Sequence, residues 1–377
     1  MDRLMNRNDE PDISYDPEDD RVPLRDGSSG RDEFSEQDVS PEEDAVVLRP
    51  SLSAPAWIRW AQLVRLPAVF TVIAQVVVAW VVAAGDPAVA IAAWPRGAMV
   101  LLAAIAIYWS GMILNDLWDF EEDSRERPQR PLPSGQISIG VARSAAWGLW
   151  LVSVTLGIAS GFVPLADHPP TFAPGLIGVV LAICVVLYNG PLKPTGLAPA
   201  TMGVCRALCF LLGAAPLVPL GAADLLTPQV GFAPHLLAIA GGFGLYITGI
   251  TFLSRLETGM PAGGSVDLNI GLGLTLVGAA VLASAPRVAP AGFWMFEADL
   301  RYSFLVGLIT LPVLMRGLRI SVASRPEAIQ NVIRSGVLNL IPYSAAIMLL
   351  IAGPWWGLAV FGLAIAAMLT ARRLRVT

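Results

Sequence analysis

The feature that most constrains this chain is a succession of apolar runs, each close to the length that crosses a lipid bilayer. From Ser51 onward they fall at approximately 67–84, 98–116, 139–163, 172–189, 199–220, 235–254, 268–285, 301–317, 334–352 and 355–371. A membrane-spanning helix needs roughly 20 apolar residues. Breakers separate the runs: Gly85-Asp86-Pro87, His168-Pro169-Pro170, Pro191 to Pro199, Pro261 to Gly264, Pro286 to Pro290 and Gly353-Pro354. The chain is 55% hydrophobic and only 15% charged, too apolar for a soluble domain of 377 residues. The expectation is an all-α, polytopic membrane helical bundle of about ten transmembrane helices. The count falls to nine if Gly353-Pro354 only kinks one long segment.

Residues 1–50 differ in kind. They carry 16 of the 30 acidic residues with few aromatics, and they lack the basic start and apolar stretch of a signal peptide. They cannot bury enough apolar surface to offset their ordering entropy, so a disordered acidic tail is expected there, with the transmembrane domain at 51–377. The body then holds 19 basic residues (25 less 6) against 14 acidic (30 less 16). It has no basic stripe interleaved with aromatics, so nucleic acid is not an expected partner. Cys184, Cys205 and Cys209 lie in apolar runs without metal-site spacing and read as packing residues. The two histidines, His168 and His235, flank prolines and read as solvent-side loop residues. This inventory excludes a histidine metal site and a Ser-His-Asp triad. Ala56 to Leu66, with Trp57, Arg59, Trp60 and Arg65, suits an amphipathic helix at the membrane interface.

Positive charge sets the orientation. With the N-terminus cytoplasmic and ten spans, 16 of the 19 body cations fall inside, including Arg206, and only Arg96, Arg287 and Arg301 fall outside. A bacterial-type inner membrane fits this pattern. The same topology gathers the loops Asn115 to Arg130, Asn189 to Pro199 and Ser254 to Asp267 on the cytoplasmic face.

The first of those loops carries the chemistry. In Asn115-Asp116-Leu117-Trp118-Asp119-Phe120-Glu121-Glu122-Asp123, a continuing helix would put Asn115, Asp116, Asp119 and Asp123 on one face. Three carboxylates at the negative end of a helix dipole require a cation. Their hard oxygens suit Mg2+, which is commonly completed by substrate phosphates, while neighbouring arginines hold the remaining phosphate oxygens. The plainer reading is an acidic helix end that caps a loop.

The run Asn115-Asp116-x-x-Asp119-x-x-x-Asp123, followed by Arg125-Glu-Arg-Pro-Gln-Arg-Pro-Leu-Pro-Ser-Gly135, resembles the first aspartate-rich motif of the UbiA superfamily of intramembrane prenyltransferases. Supporting matches are Arg65 in Leu-Val-Arg-Leu-Pro and Tyr188 to Leu197, which contains Lys193, the only lysine. The resemblance covers roughly 56–371. It implies a UbiA-like helical bundle and transfer of a prenyl group from an allylic (poly)prenyl diphosphate to a lipophilic, commonly aromatic, acceptor. It further implies that Asn115, Asp116, Asp119 and Asp123 bind Mg2+ and diphosphate, with Asp116, Asp119, Asp123 and Lys193 catalytic. Arg65, Arg130, Tyr188, Lys193 and Arg255 would contact substrate.

One motif departs from the family pattern. The second aspartate cluster should fall near Thr251, but the chain reads Thr-Phe-Leu-Ser-Arg255-Leu-Glu257-Thr-Gly. Glu257 alone remains as a second-site metal ligand, with Arg255 beside it, either as a cationic substitute or as a simple ion-pair partner. This pairing resembles the divergent EboC-like branch. The loss also motivates an alternative: a non-catalytic protein on the same scaffold that binds or transports an isoprenoid or other lipophilic ligand. A CDP-alcohol phosphotransferase would need an Asp-Gly-x-x-Ala-Arg run, which is missing. Nothing in the sequence fixes the oligomeric state.

Overall fold

A computed structural model describes residues 55–166, 168–221, 231–256, 264–320 and 326–374. The acidic segment 1–50 and Glu257 lie outside the described residues. In lipid, backbone N–H and C=O groups find no water, so the apolar runs close their hydrogen bonds internally as helices. These are α1 (Ala56–Leu63), α2 (Leu66–Ala84), α3 (Pro87–Ala92), α4 (Trp94–Trp118), α5 (Phe120–Glu126), α6 (Ile139–Ser160), α7 (Ala173–Asn189), α8 (Ala198–Ala214), α9 (Pro234–Ser254), α10 (Gly264–Ser284), α11 (Leu300–Ile320), α12 (Pro326–Leu338), α13 (Leu340–Ala352) and α14 (Pro354–Leu374). No strand occurs among the described residues.

Nine stretches among the described residues are long and apolar enough to cross a membrane, with α12 and α13 forming one of them. Helix α7 is apolar too, at 17 residues. The protein is a multi-pass integral membrane protein, and with α7 the bundle has ten candidate crossings. Gly353 is a turn and not a kink. It takes φ +88°, and Gly357 of α14 packs back on Ala345 and Leu349 of α13. A left-handed residue of this kind reverses the chain at little cost only when it is glycine.

Helix α9 is packed between α8 and α10, α2 lies against α8, α13 and α14, and α4 lies against α6. Phe210, Phe243, Tyr246, Ile250 and Tyr343 fill the centre of the core. Small residues allow the backbones of α8 and α9 to approach: a Cβ on Gly203 would sit 2.5 Å from the Gly244 carbonyl oxygen and 2.0 Å from Thr248 Oγ1.

Two sequence expectations fail here. His235 is not a solvent-side loop residue. It is buried at the start of α9, its ring centroid 4.5 Å from that of Phe293. Pro234 precedes it at a first helical position, where proline begins a helix without a missing bond. Arg206 is not at a membrane face but in mid-α8. Arg96, expected at the opposite end from the acidic stretch, is there but only 1% exposed. Its guanidinium donates to the carbonyls of Val163 (2.8 Å), Pro216 (3.0 Å), His168 and Pro169 (3.3 Å each), binding the loop after α6 to the end of α8. Cys205 and Cys209 are buried in the core, as expected, and all three thiols are free.

Gly203→Ala should lower the unfolding midpoint of the detergent-solubilised protein, by about 1–3 kcal/mol in stability, because the added carbon meets backbone. Gly241→Ala, where nothing lies within 4 Å, should leave it unchanged or slightly raised. Equal midpoints for the two variants would refute the close α8–α9 contact.

Candidate active site

Helices α4 and α5 are nearly continuous. The Asp119 N–H donates to the Asn115 carbonyl (3.0 Å) and the Asp123 N–H to the Asp119 carbonyl (2.8 Å), so the helical spacing of the acids survives the junction. The cations divide them into two groups. Asp116 and Asp123 are buried, at 6% and 3% exposure, and converge on Arg130. Arg130 Nη1 lies 2.5 Å from Asp123 Oδ2 and 4.0 Å from Asp116 Oδ1. Arg65 Nη2 reaches Asp116 Oδ1 at 3.3 Å, and Arg127 approaches Asp123 at 4.0 Å. Asp119, at the junction, turns to Lys193, which ion-pairs with its carboxylate and donates to Asn115 Oδ1 at 3.0 Å. Asn115 Nδ2 closes this second group by donating to Asp119 Oδ2 at 3.0 Å.

Each cation is fixed by local structure. Arg65 has φ +48° and is the only non-glycine residue with positive φ among those described. That conformation costs an L-residue roughly 1–2 kcal/mol, and it breaks α1 from α2 so that the side chain points at Asp116. Pro67, within the first turn of α2, fixes where that helix begins. Burial opposes the Arg65 charge, but Asp116, Tyr108, Tyr188 and Asp119 outweigh it and hold its pKa above the ordinary arginine value. Arg130 lies in a run of turns anchored by Leu132 and Ile137, which are buried with Leu63, Ile113 and Ala142. Arg59 Nη1 ties α1 to the same loop through the Gln136 carbonyl (2.9 Å). Lys193 stands in the turn after α7, where the Leu192 N–H donates to the Leu187 carbonyl (2.9 Å).

Tyr188 lies within electrostatic reach of Arg65 and Asp119. Arg255 does not join the group: it ion-pairs with Asp267 of α10 at 3.6 Å and lies over the Phe252 ring. Sequence reading passed over two neighbours. Tyr108 donates to the Arg65 carbonyl (3.4 Å), and buried Asn189 has an Oδ1 without a partner. The only signal for Tyr108 is a polar group in an apolar run, eight residues before Asp116. Asp119 also lines a cleft of about 400 Å³ with Trp118, Glu121, Glu122, Arg125 and Glu126.

Residues 68–316 match the family model of the UbiA prenyltransferase family. The chain belongs to this family. Among curated relatives, it is similar to digeranylgeranylglyceryl phosphate synthase of Saccharolobus solfataricus, 32% identical over 100 residues that cover 26% of this chain and 32% of the relative. The corresponding synthase of Sulfurisphaera tokodaii is 44% identical over 61 residues, 16% of this chain and 21% of the relative. The chain thus spans about a third or less of the length of these relatives. Among solved structures, the fold resembles a UbiA homolog from Archaeoglobus fulgidus bound to GPP and Mg2+, with TM-score 0.51, 17% identity and coverage of 81% of this chain and 99% of that one. It also resembles a digeranylgeranylglyceryl phosphate synthase structure, with TM-score 0.52, 16% identity and coverage of 78% and 97%. At these identities the likeness concerns the fold of this UbiA family member.

The site residues fit a hard divalent cation. Among the described residues no three carboxylates converge on one point. Asp116 and Asp123 do face one cation, the Arg130 guanidinium, and one or two carboxylates completed by phosphate and water is a usual Mg2+ shell.

Lys193→Met leaves the partly buried Asp119 without its cation and should destabilise the protein by about 1–2 kcal/mol. Adding Asp119→Asn should recover most of the loss in the unfolding midpoint. Additive losses in the double variant would show that the two residues are not coupled.

Proposed function

We propose that this protein is an integral membrane prenyltransferase that takes an allylic prenyl diphosphate and transfers the prenyl group to a lipophilic acceptor. The observation that carries this reading is the mouth of the bundle, where Arg65, Arg130 and Lys193 are held on buried or half-buried aspartates above an apolar interior. Each cation can exchange its carboxylate partner for a phosphate oxygen without moving far. When bound, Mg2+ supplies charge neutralisation for the departing diphosphate, and Asp116 and Asp123 are the residues placed to hold it. Asn115 and Asp119 hold Lys193 in position and contribute further oxygens.

In the proposed reaction the C–O bond to the diphosphate breaks, a bond from the acceptor to the allylic carbon forms, and the acceptor loses a proton. Negative charge grows on the leaving group as the bond breaks, so fixed guanidinium and ammonium groups stabilise the transition state more than the ground state. An apolar bundle interior strengthens that interaction and disfavours water beside the allylic cation. Glu257 and Arg255 are assigned a secondary role, in keeping with the divergent branch that the sequence resembles. The aromatic nature of the acceptor is part of this proposal. So is the site's cytoplasmic position in a bacterial-type inner membrane, which the clustering of cations at the site end supports.

With labelled prenyl diphosphates, Mg2+ and candidate acceptors, the protein should form prenylated product, and chelation of Mg2+ should abolish it. Asp116→Ala and Asp123→Ala should each reduce turnover by about 100-fold or more, and Glu257→Ala by about tenfold or less. Folded protein that forms no product and releases no pyrophosphate with any acceptor would overturn the enzyme assignment. For orientation, a cysteine introduced at Ser134 should react with an impermeant maleimide only after the cell membrane is opened. Labelling in intact cells would reverse the assigned topology.

A further inference from the structure

The site end of the bundle carries a second set of cations, on helices that supply nothing to the mouth. Arg316 and Arg319 lie near the end of α11, Arg334 stands in α12, and Arg372 and Arg373 lie near the end of α14. All five are exposed. Packing fixes their place. Gly317 of α11 sits on Leu272 of α10, Gly336 of α12 sits on Ile250 of α9, and the Leu374 carbonyl of α14 accepts from Gln62 Nε2 of α1 (3.0 Å). Around the mouth Arg65, Arg127, Arg130 and Lys193 each face an aspartate, and Arg255 faces Asp267. Among the described residues no carboxylate pairs with any of the five. Glu327, in the first turn of α12, is the only acidic residue on α11, α12 or α14.

Helix dipoles account for part of this charge. Arg319, Arg372 and Arg373 lie in the last turns of α11 and α14, where a cation is favourable. The dipole does not account for Arg334, because the last turn of α12 holds no basic residue. The neighbours of the cations identify the ligand. Leu311, Met315 and Arg319 stand at i, i+4 and i+8 on α11, and Ile365, Leu369 and Arg373 repeat that spacing on α14. The four apolar side chains are 47–53% exposed, so each arginine closes an apolar stripe that faces away from the core. A ligand that fits has an anionic head and an apolar chain lying along the helix. A soluble acidic peptide would leave the stripes uncovered. A phosphodiester brings two free oxygens to a guanidinium.

We propose that the exposed arginines of α11, α12 and α14 form a docking surface for anionic phospholipid. Headgroup phosphates sit on the guanidinium groups, and acyl chains lie along the Leu311–Met315 and Ile365–Leu369 stripes. A zwitterionic lipid carries the same phosphate, but its own ammonium competes for it, so the surface selects the anionic class. The surface uses none of the residues at the mouth, and the inference does not rest on the prenyltransferase reading.

The test reconstitutes the full-length protein into bilayers of equal parts dioleoylphosphatidylglycerol and dioleoylphosphatidylcholine. The protein is extracted in mild detergent and washed, and the lipid it retains is measured by mass spectrometry. The wild type should retain phosphatidylglycerol enriched about fivefold or more over phosphatidylcholine at low salt. Washing in about 0.5 M NaCl should cut the enrichment to about twofold or less, since exposed charges are screened. The triple variant Arg316→Gln, Arg319→Gln, Arg334→Gln should lose most of the enrichment, and the double variant Arg372→Gln, Arg373→Gln part of it. The triple variant with lysine in place of glutamine keeps the charge and should keep the enrichment. Arg143→Gln, an exposed arginine in the first turn of α6, should change nothing. Unfolding midpoints of all variants should match the wild type, because the side chains are exposed.

Equal retention of the two lipids by the wild type overturns the proposal. So does full enrichment in both glutamine variants, which would place the lipid elsewhere on the protein. An equal loss in Arg143→Gln overturns the assignment to this surface, because any exposed arginine at that end would then serve. Binding of soluble polyglutamate through these arginines, without phosphatidylglycerol enrichment, overturns the lipid and makes the surface a dock for an acidic protein segment.

Discussion

The structure depends on the pairing of charge at the boundary between an apolar bundle and water. Asp116 and Asp123 are almost wholly buried, and an unpaired carboxylate there would cost several kcal/mol. Arg65 and Arg130 remove that cost, but only because other parts of the chain bring them there. Arg65 depends on a left-handed backbone between α1 and α2, and Arg130 on a loop whose Leu132 and Ile137 are sunk into apolar contacts. The geometry of the site is therefore a property of α1, α2, α4, α5 and the loop before α6 together.

The same pairing explains why the acids, though regularly spaced on one helix, act as two groups. Helical spacing sets where the carboxylates emerge. The cations decide which way they turn. Arg130 draws Asp116 and Asp123 to one point, and Lys193, from the turn after α7, draws Asp119 and Asn115 to another. The resting site is self-neutralised, and the metal-bound diphosphate proposed as its ligand would exchange internal ion pairs for external ones. A site built in this way keeps its cations preorganised without leaving them unpaired in an apolar surround.

Below the mouth the pattern changes. Arg96 at the far end and Arg206 in mid-bundle are both arginines away from carboxylates, yet they differ in kind. Arg96 has its donors spread over four backbone carbonyls, which makes it a tie between loops. Arg206 has the side-chain oxygens of Thr71 and Gln75 on one nitrogen, and the Gln75 amide nitrogen has no partner among the described residues. The first is a saturated tie between loops; the second is a polar tie between α8 and α2.

Hydropathy alone determined that the chain is a helical membrane bundle of about ten crossings, because in lipid a long apolar run has hardly any other way to pair its backbone. The spacing from Asn115 to Asp123 likewise determined the acidic face, since helical periodicity is local. Whether Gly353-Pro354 was a kink or a turn was settled by packing of α14 on α13, a contact between segments that short-range sequence does not encode. A histidine flanked by proline reads as a loop residue, but at the first turn of a helix proline is a start, and His235 lies inside α9. Apart from Arg127 beside Asp123 one helical turn away, the cation partners of the site aspartates, the separation of Arg255 onto Asp267, and the contact of Arg206 with Thr71 and Gln75 join residues between 7 and 135 positions apart. Such pairings arise only when helices pack, because the position of a charge along the chain does not say which charge will face it across the bundle.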